Sequence, residues 1–286
     1  MNRVTRRTAL STVAAVAAAS PNGSEIQLSE VIGWGQTSRM RLLKQVGVNH
    51  AIATVGSELV KVPRSEYLPT LRRIQAELDQ YGMKIAGVES HPVAVKNIKL
   101  GLPGRDEEIE NYMAAIRALK AIGVDMICYD FCAGLGWYRT KVDCRERGGA
   151  RCSEFDNAEA VKQGPTEWGE VTEKRMWSNI QYFLEAVIPV AEKEGVKMAL
   201  HPDDPPLNPL RGIARIVVSA KNYERVMKMV PSPVNGVTFC QANFVAMGED
   251  IQTLAARWCR ENRIFFIHYR DIRGNKEHFR ETFHDN

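Results

Sequence analysis

Three side chains able to bind a divalent metal, His201, Cys240 and His268, each stand at the C-terminal end of a short apolar run. The runs are Lys197-Met-Ala-Leu-His201, Gly236-Val-Thr-Phe-Cys240 and Ile264-Phe-Phe-Ile-His268, and polar or turn-forming residues follow each at once. Short apolar runs bounded by turn signals read as buried strands. Strands of a parallel barrel all point one way, so their C-terminal ends converge on one mouth, where barrel enzymes keep their chemistry. Two imidazoles and a thiolate there would leave open positions for a substrate on the metal. Each residue also has a plainer role. His201 before Pro202 and Asp203 could mark a rigid turn, Cys240 could be a small buried hydrophobe, and His268 could be a satisfied core histidine. Their shared position at strand ends lifts all three above those roles.

The elements that must position these residues form an alternation. Apolar runs at about 30–34, 50–54, 84–89, 126–131, 197–201, 237–240 and 264–269 predict strands, and 37–46, 65–81, 106–122, 172–194, 222–229 and 250–261 have helical periodicity. Several of these helices run into a glycine before the next strand, at Gly82, Gly123 and Gly195, the usual helix stop. Repeated strand–helix units imply a parallel sheet with right-handed crossovers. The expected fold is therefore an α/β TIM (β/α)8-type barrel, incomplete at its C-terminus, with about seven strands accounted for before Asn286. Such a barrel leaves its first and seventh strands with unpaired edges. A homo-oligomer that covers them is a natural consequence.

Length and composition leave room for this. A chain of 286 residues, 44% hydrophobic and 25% charged, can carry a barrel of ~250 residues as one domain over residues 24–286. The net charge of +4 is not gathered into a stripe, which argues against a nucleic-acid partner. Residues 1–23 read separately: Arg3, Arg6 and Arg7, then an apolar small-residue stretch from Ala9 to Ala19, then Ser20-Pro-Asn-Gly23. That order is an export signal, and the paired arginines suggest the twin-arginine type, with a periplasmic destination. The alternative is a disordered tail on a cytoplasmic protein. The apolar stretch is too short for a stable membrane span, which needs ~20 residues. Of the six cysteines, Cys132, Cys144 and Cys152 fall in one glycine-rich region, no metal-type Cys-x-x-Cys spacing occurs, and Cys128 and Cys259 lie in apolar surroundings.

Several segments together resemble the mannonate dehydratase family of the xylose-isomerase-like barrels. They are Gly87-Val-Glu-Ser90, Ile98-Lys-Leu-Gly101, Cys128-Tyr-Asp-Phe131, Trp137-Tyr-Arg-Thr140, Arg147-Gly-Gly-Ala150, His201-Pro-Asp-Asp-Pro-Pro206, His268-Tyr-Arg-Asp-Ile-Arg-Gly274 and Phe279-Arg-Glu-Thr-Phe-His-Asp-Asn286. The resemblance implies removal of water from D-mannonate, a small sugar acid, to give 2-keto-3-deoxy-D-gluconate. It implies a divalent metal, manganese with iron or zinc as alternatives, on His201, Cys240 and His268. A fourth ligand and a neighbouring proton-transfer histidine, in an Arg-Pro-Asp-His segment after the last strand, find no counterpart before Asn286. Asp130, Cys132, Ala133 and Gly136 stand where the family usually has asparagine, methionine, proline and aspartate. A shifted substrate preference is the expected result.

The chemistry agrees with such a site. Eliminating water beside a carboxylate means taking a very weakly acidic proton and protonating a leaving hydroxyl, while a metal stabilises the developing charge. A thiolate with two imidazoles intrinsically favours zinc or copper over manganese. Arg270 and Arg273 are candidates to clamp the substrate carboxylate, and Trp137 and Arg139, in a long loop after the fourth strand, to cover it. His91, at the end of the third strand, Arg270 and His284 are candidates for proton transfer, although His284 and Asp285 lie where a terminus frays. Two alternatives remain open: an isomerase or epimerase using similar metal chemistry, and a sugar-acid-binding protein without turnover.

Overall fold

The computed structural model describes residues 26–33 and 35–284. The export-signal segment 1–23 lies outside the described residues, as does Asp285. The chain runs β1 (Ser29–Ile32), α1 (Thr37–Gln45), β2 (His50–Ala53), α2 (Gly56–Leu59), α3 (Tyr67–Gln80), β3 (Lys84–Glu89), α4 (Lys96–Leu100), α5 (Arg105–Ala121) and β4 (Met126–Tyr129). It continues through β5 (Lys141–Arg145), β6 (Arg151–Asp156), α6 (Asn157–Lys162), α7 (Glu173–Glu194), β7 (Lys197–Leu200), α8 (Ala220–Met229), β8 (Asn235–Cys240) and α9 (Gln241–Met247). Last come α10 (Ile251–Arg260), β9 (Ile264–His268), β10 (Asp271–Asn275) and β11 (His278–Thr282).

Seven strands form one parallel sheet in the order β1-β2-β3-β4-β7-β8-β9, and no ladder joins β1 to β9 among the described residues. This is the incomplete TIM-type barrel that the alternation predicts. Its middle strands are apolar along their length because both faces are covered: β4 and β8 are buried at every position, and β7 after Lys197. Helix α7 shows how the cover is held. Thr172 caps its start by accepting from the Arg175 N–H, and Gly195, at φ +67°, closes its end so that β7 begins two residues later. Its buried stripe includes Ile180, Phe183, Leu184, Val187 and Ala191, with Phe183 packed on Tyr112, Tyr129 and Phe131. Removing the Phe183 ring would cost about 3–5 kcal/mol and loosen the end of β4, where the pocket wall begins.

Close strand approach sets the far side of the mouth. A Cβ at Gly236 would collide with the Phe265 ring and the Arg263 carbonyl, so glycine lets β8 and β9 pack together. Their register then places Cys240 opposite His268.

A second sheet, unforeseen in the sequence, is antiparallel with order β10-β11-β6-β5. After β4 comes the expected loop, residues 130–140, which carries Trp137 and Arg139; the chain beyond it forms the hairpin β5–β6, and the segment before His284 forms the hairpin β10–β11. Pairing of Phe279 with Phe155 and of Arg280 with Glu154 joins the two hairpins. Under this sheet Phe155, Phe279 and Ile272 form a small core with Leu207, Leu210, Ala242 and Ala246. Neither hairpin buries enough apolar area alone, so each depends on the other.

Candidate metal centre

The sheet delivers His201, Cys240 and His268 to one place. His201 follows β7 directly, and its backbone N–H donates to the Tyr129 carbonyl at 2.6 Å, tying it to the end of β4. One ligand-type atom from each of the three residues lies within 4.8 Å of the other two, and the imidazole centroids are 4.8 Å apart. Cys240 is fully buried, while both histidines line a cavity of about 320 Å³ above it.

Hydrogen bonding fixes how the imidazoles present themselves. His201 Nδ1 lies 2.7 Å from the Pro202 carbonyl oxygen, which can only accept. The ring proton therefore sits on Nδ1 and the lone pair on Nε2. His268 Nε2 lies 3.2 Å from Glu89 Oε2, so its lone pair is on Nδ1. A ring N–H held by a carbonyl or carboxylate is how metal-binding histidines are oriented. Burial works to lower His268, but its hydrogen bonds to Cys240 and Glu89 outweigh burial and lift it above the ordinary imidazole value. Two imidazoles and a thiol on a protein floor fit a divalent metal.

Glu89, Cys128 and His268 also come within 4.8 Å of one another. Burial, then the Glu89 charge, pushes the Cys128 thiol well up, so it stays protonated, and the Thr238 hydroxyl lies 3.2 Å from it. Burial acts to raise Glu89 too, yet hydrogen bonding to His268 and the charges of His268 and His201 bring it below its usual value. Glu89 is an ionised support for His268. Beside it, Ser90 lines the pocket in the left-handed region, at φ +66°, the kind of backbone strain that collects at functional sites.

Across the cavity stands an arginine–carboxylate network. Asp204 accepts from Arg139 Nη1 at 2.7 Å and Nη2 at 2.9 Å, and from Arg270 Nη1 at 2.7 Å. Glu281 Oε1 lies 3.1 Å from both Arg139 Nη2 and Arg270 Nε. Burial alone would raise Asp204, but Arg270 and then Arg139 hold it well below the usual carboxylate range. Arg270 Nη1 also reaches Asn243 Oδ1 at 3.3 Å and Cys240 Sγ at 3.7 Å, whereas its buried Nη2 has no acceptor among the described residues.

The other expected site residues divide sharply. Trp137 does line the mouth, 55% exposed, with the Arg139 guanidinium 4.4 Å from its ring centre. Arg139 does not line the cavity: its side chain is fully buried, and Asp204, Glu281, Ser153 Oγ and the Tyr138 carbonyl take its donors. His91 is buried against Tyr112 and Tyr129 rather than open to the pocket, and its Nε2 meets the Asp130 carbonyl at 2.8 Å. Burial, then the Lys99 ammonium, lowers it to about 3, so it is neutral and a poor proton acceptor. Arg273 is exposed on β10 outside the pocket, because alternation along the strand turns it away from the buried Ile272. His284 is exposed and stacks on Tyr269 at 3.7 Å, also outside.

Glu89, Asp204, Glu281 and the Asp130–Lys99 pair, 2.6 Å apart, escaped the sequence reading. Glu89 carried the same signal as His201, a polar side chain closing an apolar run. Asp204 lay inside the His201-Pro-Asp-Asp-Pro-Pro206 string. Glu281 lay inside the Phe279–Asn286 segment, but nothing local marked its role, since only the pairing of β11 with β6 brings it over the mouth.

Fold and site together are those of a (β/α)-type barrel with a cluster at its mouth that could hold a metal. The D-mannonate dehydratase (UxuA) family model matches residues 28–168 and 161–286. The mannonate dehydratase of Thermotoga maritima is 33% identical over 287 residues, covering 88% of this chain and 79% of the relative. The crystal structure of mannonate dehydratase from Streptococcus suis serotype 2 superposes with a TM-score of 0.80 at 26% identity, over 90% of this chain and 76% of that one. The chain belongs to the mannonate dehydratase family. A xylose isomerase domain protein from Planctomyces limnophilus shares the fold, with a TM-score of 0.53 at 11% identity over 89% of this chain and 77% of that one.

Proposed function

We propose that this chain is a hydro-lyase that converts D-mannonate to 2-keto-3-deoxy-D-gluconate, with manganese held by His201, Cys240 and His268. The observation that carries the reading is the convergence of three ligand-type atoms within 4.8 Å beneath a cavity that Arg270 lines. A divalent metal there would supply positive charge to the substrate carboxylate and adjacent hydroxyl as charge develops in the transition state. Arg270 Nη2, a buried donor without an acceptor, binds a substrate oxygen, and Asp204 and Glu281 hold the guanidinium in place. Glu89 orients His268. Trp137 shields the mouth from water.

The test is a 2-keto-3-deoxy-acid assay on the purified full chain, stripped by a chelator and refilled separately with manganese, iron and zinc. Turnover of D-mannonate with manganese, lost in Cys240→Ser together with bound metal, is the expected result. Metal binding with no turnover for any refilled form would overturn the lyase reading in favour of a binding protein. Turnover only with iron or zinc would overturn the choice of manganese. We further propose export through residues 1–23 after the metal site has folded in the cytosol, which periplasmic fractionation of cells tests directly.

A further inference from the structure

The two hairpins over the mouth carry a feature that the metal chemistry does not use. Cys144 and Cys152 are direct partners across the antiparallel pair β5–β6. Directly opposed residues in such a pair have Cα atoms about 4.5–5.5 Å apart and present their side chains on one face. A disulfide spans Cα separations of about 4.4–6.8 Å, so no backbone movement is needed to close one here. Burial first, and then the neighbouring Cys144, raise the Cys152 thiol above its ordinary value. Both cysteines are free thiols in this structure.

We propose that Cys144 and Cys152 are a thiol pair that a small-molecule disulfide oxidises to a cross-strand disulfide. Access and order follow from burial. Cys152 is half-buried and Cys144 only 3% exposed, so exchange begins at Cys152. The Cys152 thiolate attacks one sulfur of the external disulfide, forming a mixed disulfide and releasing one small thiolate. The Cys144 thiolate then attacks the Cys152 sulfur and expels the second. Two cysteine sulfurs are oxidised, the external disulfide is reduced to two thiols, and the cysteine protons pass through solvent to the departing thiolates. Arg280, paired with Glu154 at 2.9 Å, acts electrostatically on the Cys152 thiol and favours its ionised form. Burial and the neighbouring thiol work the other way on Cys152, raising it, so the first step should quicken as pH rises through the weakly alkaline range.

The pair is placed to brace the sheet without entering the site. Phe155 packs inward against Phe279, while Cys152 and Glu154, one residue to either side of Ser153, lie on the opposite face by strand alternation. Cys144 Sγ, 3.9 Å from Glu154 Oε2, shares that outer face. A bond there would staple β5, the edge strand of its sheet, to the strand whose Ser153 accepts from Arg139. The residue pair and its chemistry stand apart from the proposed dehydration.

The experiment uses the folded full chain, treated with excess oxidised glutathione, blocked with iodoacetamide, and analysed by intact mass and peptide mapping. Cys259, exposed on α10, is the internal control and should carry a glutathione adduct. The expected result is a linked peptide joining Cys144 to Cys152, with neither alkylated and with loss of the link on adding dithiothreitol. In Cys144→Ser, glutathione should remain trapped on Cys152; should that variant fail to fold, the wild-type map still decides. A stable glutathione adduct on wild-type Cys152 with Cys144 alkylated, a link from either residue to another cysteine, or both recovered unmodified after Cys259 has reacted, would each overturn the proposal.

Discussion

The floor of the site and its cover are built by opposite means. The floor comes from β7, β8 and β9, neighbours in the sheet that each hand over one metal-type side chain at the same strand end. The cover comes from two hairpins that meet only in three dimensions: the Arg139–Glu281 ion pair joins residues 142 apart in sequence, and Arg280–Glu154 joins residues 126 apart. The floor is held by a large core that does not depend on the ligands. The cover rests on a small core and on buried charges that depend on one another. Damage to the floor should therefore remove chemistry and spare folding, while damage to the cover should do both.

The largest effect should come from the floor. Cys240→Ser or His201→Ala is expected to lose stoichiometric metal and detectable turnover, with a urea midpoint close to wild type, since surrounding strands keep their packing. A large fall in stability would erase the contrast between the two regions. Next is the cover. Arg139→Ala leaves Asp204 buried with one of its two cations gone, a loss of about 3–5 kcal/mol in denaturant unfolding. A loss below about 1 kcal/mol would mean that water reaches Asp204 and the network is not a brace.

A support residue should fall between these. Glu89→Gln keeps an acceptor for His268 but removes its charge, and metal affinity measured by titration is expected to drop about 10–100-fold. Acid should act on stability through His91. Its folded value of about 3 lies below the unfolded ~6.5, so between those values the unfolded chain binds a proton that the folded chain refuses. The His91 contribution is neutral above about pH 6.5, and stability falls as pH drops, by at most about 1.4 kcal/mol per unit. The depressed carboxyls of Asp130 and Asp204 add losses only below about pH 4. His91→Gln should flatten unfolding midpoints between about pH 6.5 and 4; an unchanged profile would show that His91 is not the source. The smallest effect belongs to Arg273→Ala. Because Arg273 stands outside the cavity, kcat/KM should stay within about two-fold, and a larger change in KM would return it to the site.

Each of the seven predicted barrel strands appears in the structure with its ends within two residues of the expected ones, and β3 at the expected bounds, because a parallel strand buried on both faces leaves a continuous apolar run that helix periodicity does not share. The same logic exposed the metal trio, since a strand end is a local feature. The hairpins β5–β6 and β10–β11 left a weaker trace. Lys141-Val-Asp-Cys-Arg145 is exposed at four of five positions, and its one buried residue gives no period to read. Arg139 and Arg273 show the consequence. Arg273 looked like a cation free to clamp a carboxylate and Arg139 like part of a loop over the site, and local sequence offers no means of telling a buried strut from a surface residue.

What this sequence determined by itself is the repeat of buried strands and covering helices, and with it the three ligands at the strand ends, because backbone direction and apolar content act over a few residues. The tertiary structure decided which of the charged side chains line the cavity and which are buried struts or lie outside it. Whether an arginine or a glutamate meets solvent, substrate or another charge depends on partners more than a hundred residues away, and only the pairing of β11 with β6 fixes those.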